Sequence, residues 1–241
     1  MCYQTQLVVE HERSHAYWNK RIWDQLKQRP AIHHASVFAR LPWPVVTVQE
    51  PELVQDKQCG LVPAYATDAA DFLKHYPTYN AKSEEVYTKR TFRKAATEGR
   101  RCLVAVTGFF EWMHVGKDKV PYFIHKRGGG LFMFGGLYAG DTYTILTTRA
   151  NERMARIHNT KQRMPVIIPE AFERDWLNPA LAWDDVLALC APVPNDYLED
   201  WTVSKLITTR GADTNVPAVW QPFTYATPGP APGPAPSLFP D

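Results

Sequence analysis

Two periods of apolar residues organise the chain. Alternation, or short unbroken runs of β-branched and aromatic residues, predicts strands over residues 3–9, 35–39, 45–48, 58–62, 102–112, 120–125, 131–138, 143–148, 164–168 and 200–204. Trp18, Ile22 and Leu26 recur every four residues and predict a helix over 11–28, stopped by Pro30. Ser83 as N-cap and Gly99 as terminator predict a helix over 84–98. Shorter helices are expected over 151–157, over 169–177 behind Pro169, and over 183–190, while 63–78 reads as irregular. Segments 120–125 and 131–138 are expected to pair as a hairpin over Gly128, Gly129 and Gly130. That glycine run lacks the spacing and flanking helix of a nucleotide-binding loop. Many strands with interspersed short helices predict an α+β class: one domain over 1–226, built on mostly antiparallel β-sheet with peripheral helices. Residues 227–241 are rich in proline and glycine and read as a disordered tail without a core of its own.

Composition narrows the function classes. With 241 residues, 45% of them hydrophobic and 12% aromatic, a sizeable core is available. A net charge of +2 gives no global basic field, so a nucleic-acid partner must meet a local patch. No apolar run reaches membrane-spanning length, and the N-terminus lacks a signal-peptide layout, so no membrane association and a cytoplasmic location are expected. Cys2, Cys59, Cys102 and Cys190 are too scattered for a zinc site or a disulfide framework. His11 and His15 are spaced to share a helix face, but no H-E-x-x-H motif accompanies them, and no metal or other cofactor is expected.

Four residues carry candidate chemistry. Glu111 sits between Phe110 and Trp112 at the end of an apolar strand. Loss of water there would raise its pKa and make it a general acid or base near neutral pH. The alternative is that the strand is leaving the core and Glu111 points at solvent. Cys2 becomes N-terminal if Met1 is removed, placing a thiol and a free amine on adjacent carbons. That pair suits an aldehyde: the amine condenses to an imine, and the thiolate closes a five-membered thiazolidine. Cys2 is otherwise an incidental second residue. His158, at a helix end, reads as catalytic or structural, and Asn80, ahead of a helix, as a site residue or a turn former.

Ordered motifs resemble the SRAP family, the SOS response-associated peptidases, which process abasic sites. Met1-Cys2 stands at the start. Cys59-Gly60-Leu61-Val62-Pro63 resembles W-G-x-x-P, and Asn80-Ala81-Lys82-Ser83-Glu84 resembles N-A-R-x-E. Arg101-Cys102-Leu103 with Gly108-Phe109-Phe110-Glu111-Trp112 resembles R-C-L/I…G-[FYW]-[FY]-E-W. Ile157-His158 with Arg163-Met164-Pro165 resembles I-H-x-R-M-P, and Val203-Ser204 and Asn215-Val216 fit the C-terminal end. The resemblance implies the SRAP fold with a barrel-like sheet, a monomer, and covalent capture of abasic sites in single-stranded DNA. Capture would run through a thiazolidine at Cys2, with self-release of Met1, lyase activity as a side reaction and association with the nucleoid on damaged DNA. It implies that Asn80 orients Cys2 or the opened sugar, that Glu111 shuttles protons and that His158 acts on the sugar. Lys82 and Arg163 would contact phosphates. The family usually has Gly-Arg after Cys2, where Tyr3-Gln4 stand here. Cys59 replaces its tryptophan, Lys82 its arginine, and residues 159–162 lengthen the approach to Arg163. These departures leave the catalytic set whole and bear on the DNA-binding surface that the resemblance implies, above all on the phosphate contacts expected from the missing arginines. Lys82, Arg163 and the basic cluster of 89–101 are expected to compensate, with bases stacking on Trp43 or Tyr65. Two other readings stay open: a peptidase with an N-terminal cysteine nucleophile, and a non-catalytic single-strand binder.

Overall fold

A computed structural model describes residues 2–9 and 20–225. The expected tail and residues 11–19 of the first helix, with His11 and His15, lie outside the described residues. In chain order the strands are β1 (Gln4–Leu7), β2 (Ile32–Ser36), β3 (Pro42–Thr47), β4 (Val54–Cys59), β5 (Asn80–Lys82), β6 (Arg101–Val106) and β7 (Gly108–Val115). They continue with β8 (Asp118–Lys126), β9 (Phe132–Ala139), β10 (Thr142–Arg149), β11 (Arg163–Pro165), β12 (Ile167–Ile168) and β13 (Leu198–Thr202). The helices are α1 (Lys20–Leu26), α2 (Ala69–His75), α3 (Arg90–Thr97), α4 (Glu152–Ile157), α5 (Glu173–Trp176) and α6 (Trp183–Leu189).

The strands form two sheets, and the α+β class with a mostly antiparallel framework holds. One sheet runs β13-β8-β7-β1-β2. The other runs β11-β10-β4-β3-β6-β9-β12 and closes ring-like where β10 also pairs with β9. The only parallel pairings among the described strands are those of β10 with β4 and β5. The main core lies between the sheets and inside the ring, where Phe109, Phe134, Leu103, Ile145 and Met133 are buried. A second, smaller core of Phe110, Phe123, Val203, Ile207 and Val219 covers the other face of the first sheet.

The run 102–112 is two strands, not one. Thr107 turns the chain from the ring sheet into the other sheet. Its N–H donates to the Gln6 carbonyl at 2.9 Å, its hydroxyl donates to Gln6 Oε1 at 3.0 Å, and it accepts from the Val8 N–H at 2.8 Å. Gly108 starts β7 because a Cβ there would sit 2.2 Å from the Phe123 ring. Alternation then sends Phe110 to the small core and returns Glu111 to the Phe109 side, facing the main core. This fixes where the carboxylate points.

Other expectations are corrected. Segments 120–125 and 131–138 do not form a hairpin: β8 pairs with β7 and β13, and β9 with β6, β10 and β12. Gly128, Gly129 and Gly130, all at positive φ, carry the chain from one sheet to the other. The helix expected over 84–98 is a 3₁₀ turn at Ser83–Glu85 followed by α3, because Ser83 is buried with its hydroxyl engaged by the Cys190 thiol rather than capping. Residues 63–78 contain α2, capped by Asp68, which accepts from the Ala70 and Asp71 N–H groups. Only Leu73 of α2 is buried, so no apolar stripe announces that helix.

Candidate active site

β1 and β7 run antiparallel with Gln4 opposite Phe110 and Thr5 opposite Phe109. Continuing that register brings Tyr3 opposite Glu111, and Cys2 is fully buried at the same end. β5 approaches from the ring sheet, with Asn80 opposite Ile145 of β10. The Asn80 side-chain amide donates to the Cys2 carbonyl at 3.1 Å. Its Oδ1 is shielded from solvent and meets no hydrogen-bond donor among the described residues. The register of three strands thus joins three of the residues singled out in the sequence.

Glu111 is 5% exposed, which removes the solvent-facing alternative. Burial pushes its carboxyl up to about 7, against the opposing hydrogen bond from the Trp112 N–H. Burial also drives the Cys2 thiol well above its usual range, and the nearby Glu111 charge raises it further. The thiol is therefore protonated at neutral pH and needs a base to become a nucleophile. The Glu111 charge thus opposes ionisation of the Cys2 thiol, so the thiol gives up its proton most readily to Glu111 itself.

His158 closes α4, whose N-cap Asn151 accepts from the Met154 N–H at 2.9 Å. Its Nδ1 lies 2.8 Å from the Arg163 carbonyl oxygen and 3.4 Å from the Arg163 N–H; the shorter contact, to an acceptor, favours the tautomer with the proton on Nδ1 and the lone pair on Nε2. Burial lowers its pKa, so the ring is neutral at pH 7. β10 links the two halves: β9 and β11, with Arg163, line one edge, and β4 and β5, with Asn80, the other.

Both expected phosphate ligands already hold carboxylates. The Arg163 guanidinium grips both oxygens of Glu84 at 2.8 Å and donates to the Thr147 carbonyl at 2.6 Å. Lys82 Nζ pairs with Glu85 at 2.7 Å. Trp43 is not an exposed stacking ring: it is 3% exposed, and its indole N–H donates to the Ala105 carbonyl at 2.8 Å. Apolar neighbours on β6 draw it into the core. Tyr65 is exposed and lies under the Arg90 guanidinium, 4.9 Å from the ring centroid. Cys59 is buried, its thiol 3.7 Å from the Tyr79 carbonyl oxygen. Tyr79 and Tyr143, which pack around this end of the site, were not picked out from the sequence, although Tyr79 adjoins Asn80. No helix among the described residues is long and apolar enough to cross a membrane.

Fold and site together define a two-sheet α+β protein whose Cys2 thiol is enclosed with a buried carboxylate and a carboxamide. The family profile described as SOS response associated peptidase (SRAP) matches residues 1–210, and the chain belongs to that family. Abasic site processing protein YoqW of Bacillus subtilis (strain 168) is 36% identical over 159 residues, 61% of this chain and 68% of that protein. Abasic site processing protein HMCES of Gallus gallus is 30% identical over 156 residues, 52% of this chain and 45% of that protein. A crystal structure of a protein from Bacteroides thetaiotaomicron superposes with a TM-score of 0.80 at 25% identity, covering 92% of this chain and all (100%) of that one.

Proposed function

We propose that this protein processes abasic sites by capturing them covalently in single-stranded DNA through Cys2. The observation that carries this is the buried Glu111 carboxyl, poised at about 7 beside the Cys2 thiol. Its support comes also from relatives named as abasic site processing proteins.

Removal of Met1 exposes the Cys2 amine. The neutral amine attacks C1′ of the ring-opened deoxyribose and gives a carbinolamine. Protonated Glu111 donates to the departing hydroxyl, water leaves, and an imine forms. The resulting carboxylate takes the proton from Cys2 Sγ, and the thiolate adds to the imine carbon. One aldehyde and one aminothiol become one thiazolidine and one water. A carboxyl with a pKa near 7 holds both forms at working pH, as this double duty requires. The Asn80 amide fixes the Cys2 backbone, and its unpaired Oδ1 accepts from the new amine or a sugar hydroxyl. His158, neutral with a basic Nε2, takes the proton released on ring opening of the sugar. Glu111 would also assist Met1 release, and an imine that escapes thiol closure would permit strand cleavage as a lyase side reaction.

The test is denaturing electrophoresis of the processed protein with a single-stranded oligonucleotide bearing one abasic site, beside an intact strand and an abasic duplex. An abasic-specific shift that survives denaturation is expected, and Cys2→Ala should abolish it. A heat-stable adduct with Cys2→Ala protein would overturn the mechanism. Turnover of unrelated peptides, or salt-sensitive binding of intact DNA without linkage, would instead support the peptidase or the binder.

A further inference from the structure

We infer that the turn at Val37–Ala39, with Arg40, is a single-strand contact element, in which the Phe38 ring stacks a base beside the lesion and Arg40 meets a phosphate. Phe38 is 57% exposed, yet it is held in place. Its ring centroid lies 5.1 Å from that of Tyr3, tilted by 31°, and 5.0 Å from that of Tyr79, edge-on at 74°. Those two tyrosines adjoin Cys2 and Asn80 in sequence, so the shelf borders the site directly. Its backbone is pinned as well: the Val37 N–H donates to the Tyr3 carbonyl at 2.9 Å, and the Phe38 N–H to Ser36 Oγ at 3.3 Å. A fixed, exposed ring suits stacking on any base, because every base offers a π-face and the ring's ordering is complete before binding.

Arg40 supplies the charge. It ends the 3₁₀ turn at φ 50°, in the left-handed region. It forms no ion pair among the described residues, and its shielded Nε meets no hydrogen-bond partner there. Its neighbourhood is the site: burial pushes the Cys59 thiol up to about 12, and Tyr143, the Gly60 backbone and the Arg40 charge hold it down. Lys82 and Arg163 are held by Glu85 and Glu84, whereas Arg40 is a cation at the site without a carboxylate. Leu41, also exposed, extends the apolar shelf.

This inference rests on the capture reading for the position of the lesion, but its test does not. Binding of an intact, labelled single strand to the full chain is measured by anisotropy across a salt series. Phe38→Ala is expected to weaken binding about tenfold and Phe38→Trp to preserve it. Arg40→Gln is expected to reduce the slope of log K against log salt by about 0.7. Capture is then compared between an abasic oligonucleotide and free deoxyribose 5-phosphate. Phe38→Ala should lower the preference for the oligonucleotide about tenfold, whereas a merely structural role lowers both and leaves the ratio unmoved. Wild-type affinity in Phe38→Ala, an unmoved ratio, or a loss of binding in Phe38→Trp overturns the inference. If wild-type protein captures neither substrate, the capture reading fails, and the intact-strand titration still decides the role of this turn.

Discussion

Replacing Glu111 by glutamine should make the protein more stable, and only above a defined pH. The carboxyl is carried by burial from 4.5 to about 7. An unfolded chain loses this proton near the lower value, whereas the folded chain keeps it to the higher one. Between them the folded state binds more protons, so stability falls as pH rises through that window and is level beyond it. At ~1.36 kcal/mol for each pH unit of the interval, the ionised carboxylate costs about 3 kcal/mol above pH 7. Glutamine is neutral throughout and of nearly the same shape. Glu111→Gln should therefore match the parent near pH 4 and exceed it by about 3 kcal/mol at pH 8, or roughly 6–12 °C in Tm for a chain of this size. Urea unfolding across this range gives the difference, with both proteins carrying Cys2→Ala so that N-terminal processing is the same. A difference that stays constant with pH would refute the reasoning, since shape alone would then account for it. The cost bears on the proposed role: perturbed carboxylates gather at functional sites, and capture through Cys2 would put this one to use.

Capture of an abasic strand should slow as pH rises through about 7, where Glu111 loses the proton it donates to the departing hydroxyl; Glu111→Gln should slow it at least about a hundredfold and erase that limb in single-turnover kinetics. Glu84→Gln releases the Arg163 guanidinium from its bidentate grip. Titration of an intact single strand should then show roughly two- to fivefold tighter binding and a steeper salt dependence, and unchanged affinity would mean that Arg163 does not face the strand. Gly136 sits where β6, β9 and β10 close the ring, and a Cβ there would meet the Thr144 carbonyl oxygen at 2.7 Å and Cys102 Sγ at 2.9 Å. Gly136→Ala should cost about 3 kcal/mol in denaturant unfolding, because backbone cannot yield as a side chain does; a loss under about 0.5 kcal/mol would contradict this packing.

What the sequence determined by itself was local or ordered. Runs such as Cys102–Val106 and Phe132–Tyr138 are apolar enough to be buried strands in any arrangement. The order of motifs from Cys2 to Pro165 was sufficient to suggest the family. Glu111 stood out because a charge between two aromatic rings at the end of an apolar strand conflicts with its surroundings. What only the tertiary structure decided is pairing and direction. A run of apolar residues does not say which strand lies beside it, so the corner at Thr107 and the separation of β8 from β9 were hidden. Nor does it say which face a side chain takes until a partner sheet fixes the register, which is why Trp43 proved buried and Phe38 exposed. Charges behave likewise. Lys82 and Arg163 read as phosphate ligands in sequence, yet two glutamates of the neighbouring turn reach them first, because an ion pair is set by distance in space rather than by motif. Arg40 carried no signal at all, since its lack of an ion pair among the described residues and its place near Cys59 arise only in the folded chain.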